Sequence, residues 1–284
     1  MIRNTLSAIY TIITNNMTQI TQSQNPNQGN RIQWVGAGLE VYIKNAFADA
    51  FDVDADERKH RYQINFSHEG SANNPPDLML RGGDAIEVKK KNSAAGTIPL
   101  NSSYPKQKLL ASSSMITEKC RMSEVWDIKD LLYVIGHVDK QLLITLWLVY
   151  GDCYAASADS YKKIADNIRQ SVIASNLTLG QTNELARVNH IDPLGKTSLR
   201  VRGMWQIEHP SKFFGYIPEL NPTIGTNFTL NAIMRKQKYD SFPENDREKL
   251  ETLDESNLVI LDSQIRSPDN PNEAIDAKII RYSL

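Results

Sequence analysis

The sequence lacks most of the features that would place it in a special class. Two cysteines among 284 residues, Cys120 and Cys153, exclude a disulfide framework and, without partnering histidines, a zinc site. No run of about 18 apolar residues is present to span a bilayer. The N-terminal segment has polar interruptions where a secretory signal has a continuous apolar stretch. The simplest expectation is a soluble intracellular protein, located in the cytoplasm.

A strong excess of one charge is also absent, since the formal net charge is -1. The chain is therefore not basic overall, but a clustered basic face can be offset by acidic residues elsewhere, so nucleic acid is not excluded as a partner. Hydrophobic residues make up 40% and charged residues 23% of the chain. These values are close to globular averages, which favours a folded core over disorder.

Several motifs that would indicate a particular chemistry are missing. The sequence contains no P-loop, no GxSxG nucleophile motif and no GxGxxG turn in a suitable context. Its five histidines are scattered and form no convincing metal-binding set: His60, His68, His137, His190 and His209. The remaining candidates for chemistry are carboxylates and lysines.

Apolar residues recur with helical or strand periods along the whole chain. Helical spacing predicts helices over residues 1–17, 31–51, 157–176 and 242–253. Alternation or apolar runs predict strands at 61–66, 131–138, 142–150, 197–207, 257–262 and 277–282. Polar or charged residues predict loops and turns at 21–30, 52–60 and 67–76. Mixed elements without an internal repeat or compositional break indicate an α/β or α+β fold in one domain spanning residues 1–284.

The stretch NNPPDLMLRGGDAIEVKKK predicts a β-hairpin with charged side chains on one face. Its Gly-Gly pair permits positive φ, so residues 77–80 and 85–90 can pair as antiparallel strands. Alternation in the second strand places Glu87 and Lys89 on one side, and the apolar residues next to them enter the core on the other. Pairing then brings Asp77 near the face that carries Glu87 and Lys89.

Two carboxylates and an ammonium on an open strand edge suit metal-assisted hydrolysis of a phosphodiester. Carboxylate oxygens are ligands for Mg²⁺, which keeps several waters and accepts phosphate oxygens. Lys89 can stabilise the developing negative charge or help to orient the attacking water. The alternative is an ordinary surface hairpin, because Glu-x-Lys on a strand is common. The proline-aspartate start, the Gly-Gly turn and the apolar alternation together favour the catalytic interpretation.

The same residues resemble the signature of PD-(D/E)XK nucleases, with Pro76-Asp77 followed by Glu87-Val88-Lys89. Two flanking stretches, GAGLE at residues 36–40 and PLNSSYPKQKL at residues 99–109, resemble type II restriction endonucleases of the NgoPII family. The second stretch is more specific to that family than the catalytic motif, which many nucleases share.

The resemblance implies a restriction-endonuclease-like mixed β-sheet flanked by helices, dependence on Mg²⁺, and a homodimer that cleaves double-stranded DNA at a short palindromic site. The site expected for this family is GGCC. The catalytic core would cover about residues 31–155. Residues 156–284 would contribute DNA recognition and packing.

The resemblance also assigns roles at the hairpin. Asp77 and Glu87 correspond to the metal ligands and Lys89 to the catalytic lysine. Glu40, on the preceding predicted helix, corresponds to an additional acidic ligand. Periodicity alone puts Glu40 at the edge of the apolar helix face, where a glutamate is most often a solvated boundary residue.

Cations and hydroxyls near the hairpin are candidates for contacts with DNA phosphates. These candidates are Lys90, Lys91, Ser102, Ser103, Lys106 and Lys108. For base reading, arginine or lysine to guanine is the commonest pairing, and Arg200 and Arg202 on one predicted strand face are the first choice. Arg235, Lys236 and Lys238 come next. A solvated basic loop and ordinary surface arginines remain open alternatives.

Two other functions remain compatible with these residues. A repair or junction-resolving nuclease of the same fold would cut by DNA structure and not by sequence. A DNA-binding protein without catalysis could also keep the fold, although the intact set of Asp77, Glu87 and Lys89 argues against it.

Overall fold

A computed structural model describes residues 3–20, 31–71, 74–175, 177, 179–182, 184–222 and 225–284. Its helices are α1 (Thr5–Asn15), α2 (Arg31–Ala48), α3 (Ala55–Asn65), α4 (Glu118–Arg121), α5 (Gly151–Tyr154), α6 (Ala158–Ala174), α7 (Pro210–Phe213), α8 (Lys236–Asp240) and α9 (Glu244–Glu251). Its strands are β1 (Phe66–Ser71), β2 (Asn74–Leu80), β3 (Ala85–Lys91), β4 (Ile98–Asn101), β5 (Lys108–Leu110), β6 (Ile128–Asp139), β7 (Leu142–Tyr150), β8 (Ala186–Val188), β9 (Leu199–Val201), β10 (Trp205–Ile207), β11 (Thr229–Arg235), β12 (Leu258–Arg266) and β13 (Ala274–Ser283).

One large mixed sheet organises the molecule, in the order β1-β2-β3-β6-β7-β11-β13-β12, with β5 beside β6. β3 runs parallel to β6 and β7 runs parallel to β11, whereas the remaining pairs are antiparallel. The apolar runs of β6, β7 and β11 are almost continuously buried, as expected for central strands covered on both faces. The expected mixed sheet flanked by helices is confirmed.

The two faces of this sheet carry different layers. On one face, apolar residues of α1, α2 and α9 pack on the sheet, including Ile9, Ile43 and Leu250. The opposite face packs against β4, β10 and the residues around α7, including Ile98 and Phe214. Alternation along β3 sends side chains to both layers, which is how one strand can serve the core and a site at once.

Most predicted elements are confirmed, although a predicted strand at 61–66 is wrong because these residues form the end of α3 and the first residue of β1. Asp54 caps α3 by accepting a hydrogen bond from the Glu57 amide at 2.9 Å, and the acidic side chains Asp56 and Glu57 suit the positive end of the helix dipole. α3 has no buried residue. The alternation of polar and apolar residues at 61–66 therefore does not mark a strand with one buried face.

Two further predictions are corrected by the sheet. Residues 67–76, predicted as a loop, contain most of β1 and the start of β2; β1 is polar because it forms the sheet edge. The predicted strand at 197–207 is divided into β9, which pairs with β8, and β10, which pairs with β4. The predicted loop at 21–30 lies outside the described residues. Across the described ranges, no helix has both the length and the apolarity to cross a membrane.

Candidate active site

The hairpin of β2 and β3 forms as its sequence predicts. Gly82 has a φ of 65°, a left-handed conformation that glycine adopts without strain. The Gly82 amide donates to Glu124 at 2.8 Å, and the Lys129 ammonium donates to the carbonyl oxygens of Leu80 and Gly83 at 3.1 and 2.6 Å. Lys129 also forms an ion pair with Glu124. These contacts fix the turn, and with it the register of the two strands.

Asp77 lies on β2, where its carboxylate reaches across to β3. The Val88 amide donates to Asp77 Oδ2 at 2.7 Å. This hydrogen bond holds the carboxylate beside the segment that carries Glu87 and Lys89. The structure therefore brings the Asp77 side chain to the position that hairpin pairing predicts.

Glu87 and Lys89 share one face of β3, while Ile86 and Val88 are buried in the apolar layer beneath α1 and α2. The Lys89 ammonium lies 2.5 Å from Glu87 Oε1. Both side chains are partly buried, with 22% and 19% of their surface exposed. The ammonium and the carboxylate thus form a partly dehydrated pair that opens onto a cleft.

Charges in this cluster alter one another's protonation. Burial raises the pKa of Asp77 to about 7, and the charge of Glu87 acts in the same direction, against Lys89 and the Val88 amide. Burial lowers the pKa of Lys89, but Glu87 and Asp77 outweigh that effect and raise it above its ordinary value. The lysine is therefore an ammonium, and the two carboxylates repel each other.

A cleft of about 310 Å³ contains these groups. Its other walls come from the start of β2, the segment at residues 100–106, apolar residues near α4, and β6. The lining side chains most relevant to chemistry are Asp77, Glu87, Lys89, Asn101, Ser102, Ser103, Tyr104, Lys106 and Tyr133. The cleft thus combines a carboxylate end with a cationic and hydroxyl-bearing end.

Glu40 lies on α2 with an exposed side chain. The partial loss of hydration at this position raises the pKa of Glu40, with Lys44 and Lys89 opposing this effect and Glu87 adding to it. The charge of Glu40 also acts on Asp77. Glu40 is therefore within electrostatic reach of the hairpin carboxylates, although it does not line the cleft.

Ser102, Ser103 and Lys106 line the cleft, as a contact with a bound phosphate requires. Lys90 and Lys91 follow Lys89 at the end of β3 and lie outside the cleft lining; Lys91 donates to the Thr97 carbonyl oxygen at 2.6 Å. Burial lowers the pKa of Lys90.

Lys108 is displaced from the cleft because it pairs with Asp130 at 3.0 Å on neighbouring β6. Lys238, on α8, is also engaged elsewhere: its partly buried ammonium lies 2.6 Å from Asp84 and 2.8 Å from Asp130. This placement makes Lys238 a structural cation and a poor candidate for base reading. Arg235 pairs with Asp152 and Lys236 with Asp262.

Arg200 lies in β9 and Arg202 directly follows it, and neither residue lines the cleft. Both are about half exposed, and both pair with Glu184. Hydrogen bonds from Arg200 and Arg202 lower the pKa of Glu184 to about 2. The two arginines point in a common direction, as alternation predicts, but the Glu184 carboxylate already accepts hydrogen bonds from both guanidinium groups.

An aromatic cluster connects the cleft to the C-terminal half of the chain. Tyr104 stacks on Tyr161 of α6 with ring centroids 5.3 Å apart, and Trp205 of β10 packs edge-on against both rings. Because β10 pairs with β4, which ends at Asn101, two separate contacts tie this region to the cleft wall.

Tyr133 is a cleft residue that the sequence reasoning missed. It lies in β6 directly opposite Glu87, and its hydroxyl hydrogen-bonds the backbone of Lys106. The only sequence signal was a phenol within a strongly apolar run, which needs a polar partner when buried.

The donor set of the site fits a hard divalent cation but is incomplete by itself. Across the described residues, no three histidine, cysteine, aspartate or glutamate side chains are grouped closely enough to hold a metal ion. Asp77 and Glu87 supply two carboxylates whose mutual repulsion a cation would relieve. Such a two-carboxylate site leaves other coordination positions for water and phosphate oxygens.

The chain is similar to proteins of one known family. The family model for the NgoPII restriction endonuclease matches residues 3–266. The type II restriction enzyme NgoPII of Neisseria gonorrhoeae is 41% identical over 283 residues, which cover 99% of this chain and 100% of that protein. No solved structure matches the chain. The resemblance found in the sequence is confirmed: the chain belongs to the NgoPII family of type II restriction endonucleases.

Proposed function

We propose that this restriction endonuclease hydrolyses double-stranded DNA at a short palindromic site with Mg²⁺ as cofactor, and that Asp77, Glu87 and Lys89 form its PD-(D/E)XK catalytic set. The observation that carries the proposal is the convergence of these three side chains in one cleft. Family membership supplies the reaction class, and the cleft supplies the residues for it.

Asp77 and Glu87 are the proposed Mg²⁺ ligands, with Glu40 as an additional acidic ligand. When bound, Mg²⁺ acts as a Lewis acid on the phosphate and lowers the pKa of a coordinated water. The Val88 amide engages Asp77 Oδ2, so Asp77 Oδ1 is left for the cation. The raised pKa of Asp77 fits a carboxylate that needs a nearby positive charge to ionise fully.

Lys89 is the proposed catalytic lysine. Glu87 holds its ammonium at the carboxylate end of the cleft, where it can contact the attacking water or a phosphate oxygen. A fixed positive charge at that point favours the more negative transition state over the ground state. Lys89→Ala should therefore slow cleavage far more than it weakens DNA binding, and an equal loss of both would assign Lys89 to binding.

The proposed DNA contacts divide into three groups by position. Ser102, Ser103 and Lys106 lie in the cleft and suit phosphates near the cut. Lys90, Lys91 and Lys108 lie beyond it and suit neighbouring backbone contacts. Arg200 and Arg202 are the proposed base-reading pair; DNA binding would have to release them from Glu184.

A homodimer completes the proposal, because cutting both strands of a palindrome requires two equivalent sites. The proposed recognition sequence is GGCC, as the family resemblance implies, and the proposed location is the cytoplasm, with the DNA. Sedimentation velocity at several protein concentrations tests the dimer. A monomer at all concentrations, with and without DNA containing the site, would exclude it.

The decisive experiment is digestion of DNA of known sequence with Mg²⁺ or with EDTA, followed by mapping of the cut ends. We expect discrete fragments with ends at GGCC in Mg²⁺ and none in EDTA. Discrete fragments with ends at another sequence would change the proposed recognition sequence and leave the rest of the proposal in place. Cutting in EDTA would remove the metal from the proposal, and cutting only at junctions or distortions would indicate a structure-specific nuclease.

A further inference from the structure

Lys106 differs from Lys89, the other lysine that lines the cleft, in having no carboxylate partner among the described residues. Its ammonium contacts Ser103 Oγ and lies over the Tyr104 ring, 5.2 Å from the centroid. Within the described ranges, no aspartate or glutamate oxygen lies within ion-pair distance of it, whereas Lys89 pairs with Glu87 and Lys108 with Asp130. Lys106 therefore presents an uncompensated positive charge.

This charge lies in the same cleft as Asp77, Glu87 and Lys89. Burial lowers the pKa of Lys106, an effect that the charge of Glu87 opposes and the charge of Lys89 reinforces. A partly dehydrated ammonium without an anion is costly, so the site is suited to bind an anion that enters the cleft. The proposed function brings one such anion to this position, the phosphate that is to be cut.

The backbone of Lys106 is fixed by a single phenol. The Lys106 amide donates to the Tyr133 hydroxyl at 2.8 Å, and that hydroxyl donates to the Lys106 carbonyl oxygen at 3.2 Å. Tyr133 is 3% exposed and lies opposite Glu87 in the pairing of β3 with β6. One buried side chain therefore sets the position of Lys106 relative to Glu87.

We propose that Lys106 is a second catalytic lysine, which contacts a non-bridging oxygen of the scissile phosphate, and that Tyr133 is its positioning residue. The inference rests on the proposed function and deepens it, because it moves Lys106 from holding DNA to stabilising the transition state. Ser103 and Tyr104 orient the ammonium before the substrate arrives, so little reorganisation accompanies the reaction.

The step requires no change in the protonation of Lys106. Water forms a new bond to phosphorus, and the bond from phosphorus to one bridging oxygen breaks. One proton of the water goes, through solvent, to the departing oxygen. Lys106 keeps its proton throughout and interacts most strongly when negative charge on the non-bridging oxygens is greatest.

The test compares chemistry with binding in the full-length protein. Lys106→Met should lower the single-turnover cleavage rate in Mg²⁺ by about 10²- to 10³-fold. Its Kd for the same duplex, measured by gel shift in EDTA, should change less than about tenfold. Lys59→Met is the matched control, because Lys59 is an exposed lysine on α3, and it should leave both quantities unchanged. Equal losses of rate and affinity for Lys106→Met would make Lys106 a binding lysine only, and an unchanged rate would also overturn the inference.

Tyr133→Phe tests the positioning role, since it keeps the ring and removes the hydroxyl. Its rate should fall by about tenfold or more with little change in Kd. The double variant with Lys106→Met should be no slower than Lys106→Met alone, because residues that act as a unit are not additive. If the rate losses of the two single variants multiply in the double variant, the positioning role of Tyr133 is wrong. Thermal unfolding of each variant shows whether a rate loss comes from a loss of fold.

The inference and the proposed function fail in different ways. If Asp77→Ala still cuts DNA, the proposed catalytic set is wrong. If Asp77→Ala is inactive while Lys106→Met cuts at the wild-type rate, only the role of Lys106 is wrong.

Discussion

The central sheet and the segment at residues 156–204 are built in opposite ways. Side chains of β6, β7 and β11 are mostly buried, and several are fully so. In residues 156–204, α6 has no buried residue. Among all the described residues of this segment, only Ala186 and Val188 are buried. Large apolar side chains are exposed there instead: Ile164, Ile173, Leu177, Ile191, Leu194, Leu199 and Met204.

This difference in burial suits two different tasks, catalysis in the sheet and DNA recognition in the segment. Chemistry needs groups held to within a fraction of an ångström, and a buried sheet with cross-strand hydrogen bonds supplies that rigidity. The segment is held by surface ion pairs such as those of Glu184, which contribute little to stability. A thinly packed region can rearrange around a duplex at low cost, which suits its proposed role in recognition.

The largest effect should come from the carboxylates on the rigid side. Asp77→Ala or Glu87→Ala should reduce cleavage by at least about a thousandfold, because several kcal/mol of charge stabilisation in the transition state are lost. Circular dichroism and thermal unfolding should show an intact fold. Asp254→Ala, an exposed carboxylate, is the control and should retain full activity. Cutting by either site variant would remove that residue from the catalytic set.

Similar ion-pair chemistry should have different consequences in the two regions. Lys129→Met breaks a buried pair at the hairpin turn and leaves Glu124 and two carbonyl oxygens without their partner, so unfolding should become easier by about 3–5 kcal/mol. Arg200→Ala breaks an exposed pair and should leave the midpoint of urea unfolding nearly unchanged. Equal shifts would show that the segment is as tightly packed as the sheet.

Burial in the cleft also predicts a pH dependence. The pKa of Asp77 is raised from 3.8 to about 7 in the folded, metal-free protein. A raised pKa contributes stability that is present below the unfolded value and lost as pH rises through the folded value. The metal-free protein should therefore lose stability between about pH 4 and pH 7, and Asp77→Asn should lose less.

Denaturant unfolding in EDTA, with both proteins measured across this pH range, gives the comparison. Parallel profiles for the wild type and Asp77→Asn would show that Asp77 is ionised throughout. Mg²⁺ should restore wild-type stability above pH 7 and have less effect on the asparagine variant, which provides a second readout of metal binding at this carboxylate.

The smallest effects on activity should come from the segment. Arg200→Ala or Arg202→Ala should reduce discrimination between the cognate site and a site with one changed base pair by roughly tenfold to a hundredfold, if each reads a guanine. Cleavage at saturating enzyme should remain. A loss of affinity that is equal for all sequences would assign the arginine to a phosphate instead. In that case the slope of log binding constant against log salt concentration should also fall by about one.

The hairpin was predictable because its determinants are local. Gly82-Gly83 sets the turn, alternation sets the faces, and the pairing of adjacent strands then places Asp77 beside Val88. The helix at residues 55–65 was missed because its cap, Asp54, lies in a stretch whose charges suggested a turn. The short alternating run after it resembled a strand.

Contacts between distant parts of the chain were beyond the reach of sequence patterns. Lys238 and Lys108 have the composition of DNA-binding cations, yet Asp130, which lies far from Lys238 in sequence, binds both. Tyr133 was not predicted for the same reason, because it is 27 residues from its partner Lys106. A single sequence shows which charges exist but not which of them neutralise one another in the fold.

The aromatic cluster of Tyr104, Tyr161 and Trp205 places an intrinsic fluorophore at the junction of the two regions. Trp205 is near enough to both tyrosines to receive their excitation energy, and its indole touches the loop that forms the cleft wall. A movement of α6 or of that loop on binding DNA would change the surroundings of Trp205 and its emission. The protein thus carries its own optical reporter of communication between the region proposed to recognise DNA and the region proposed to cut it.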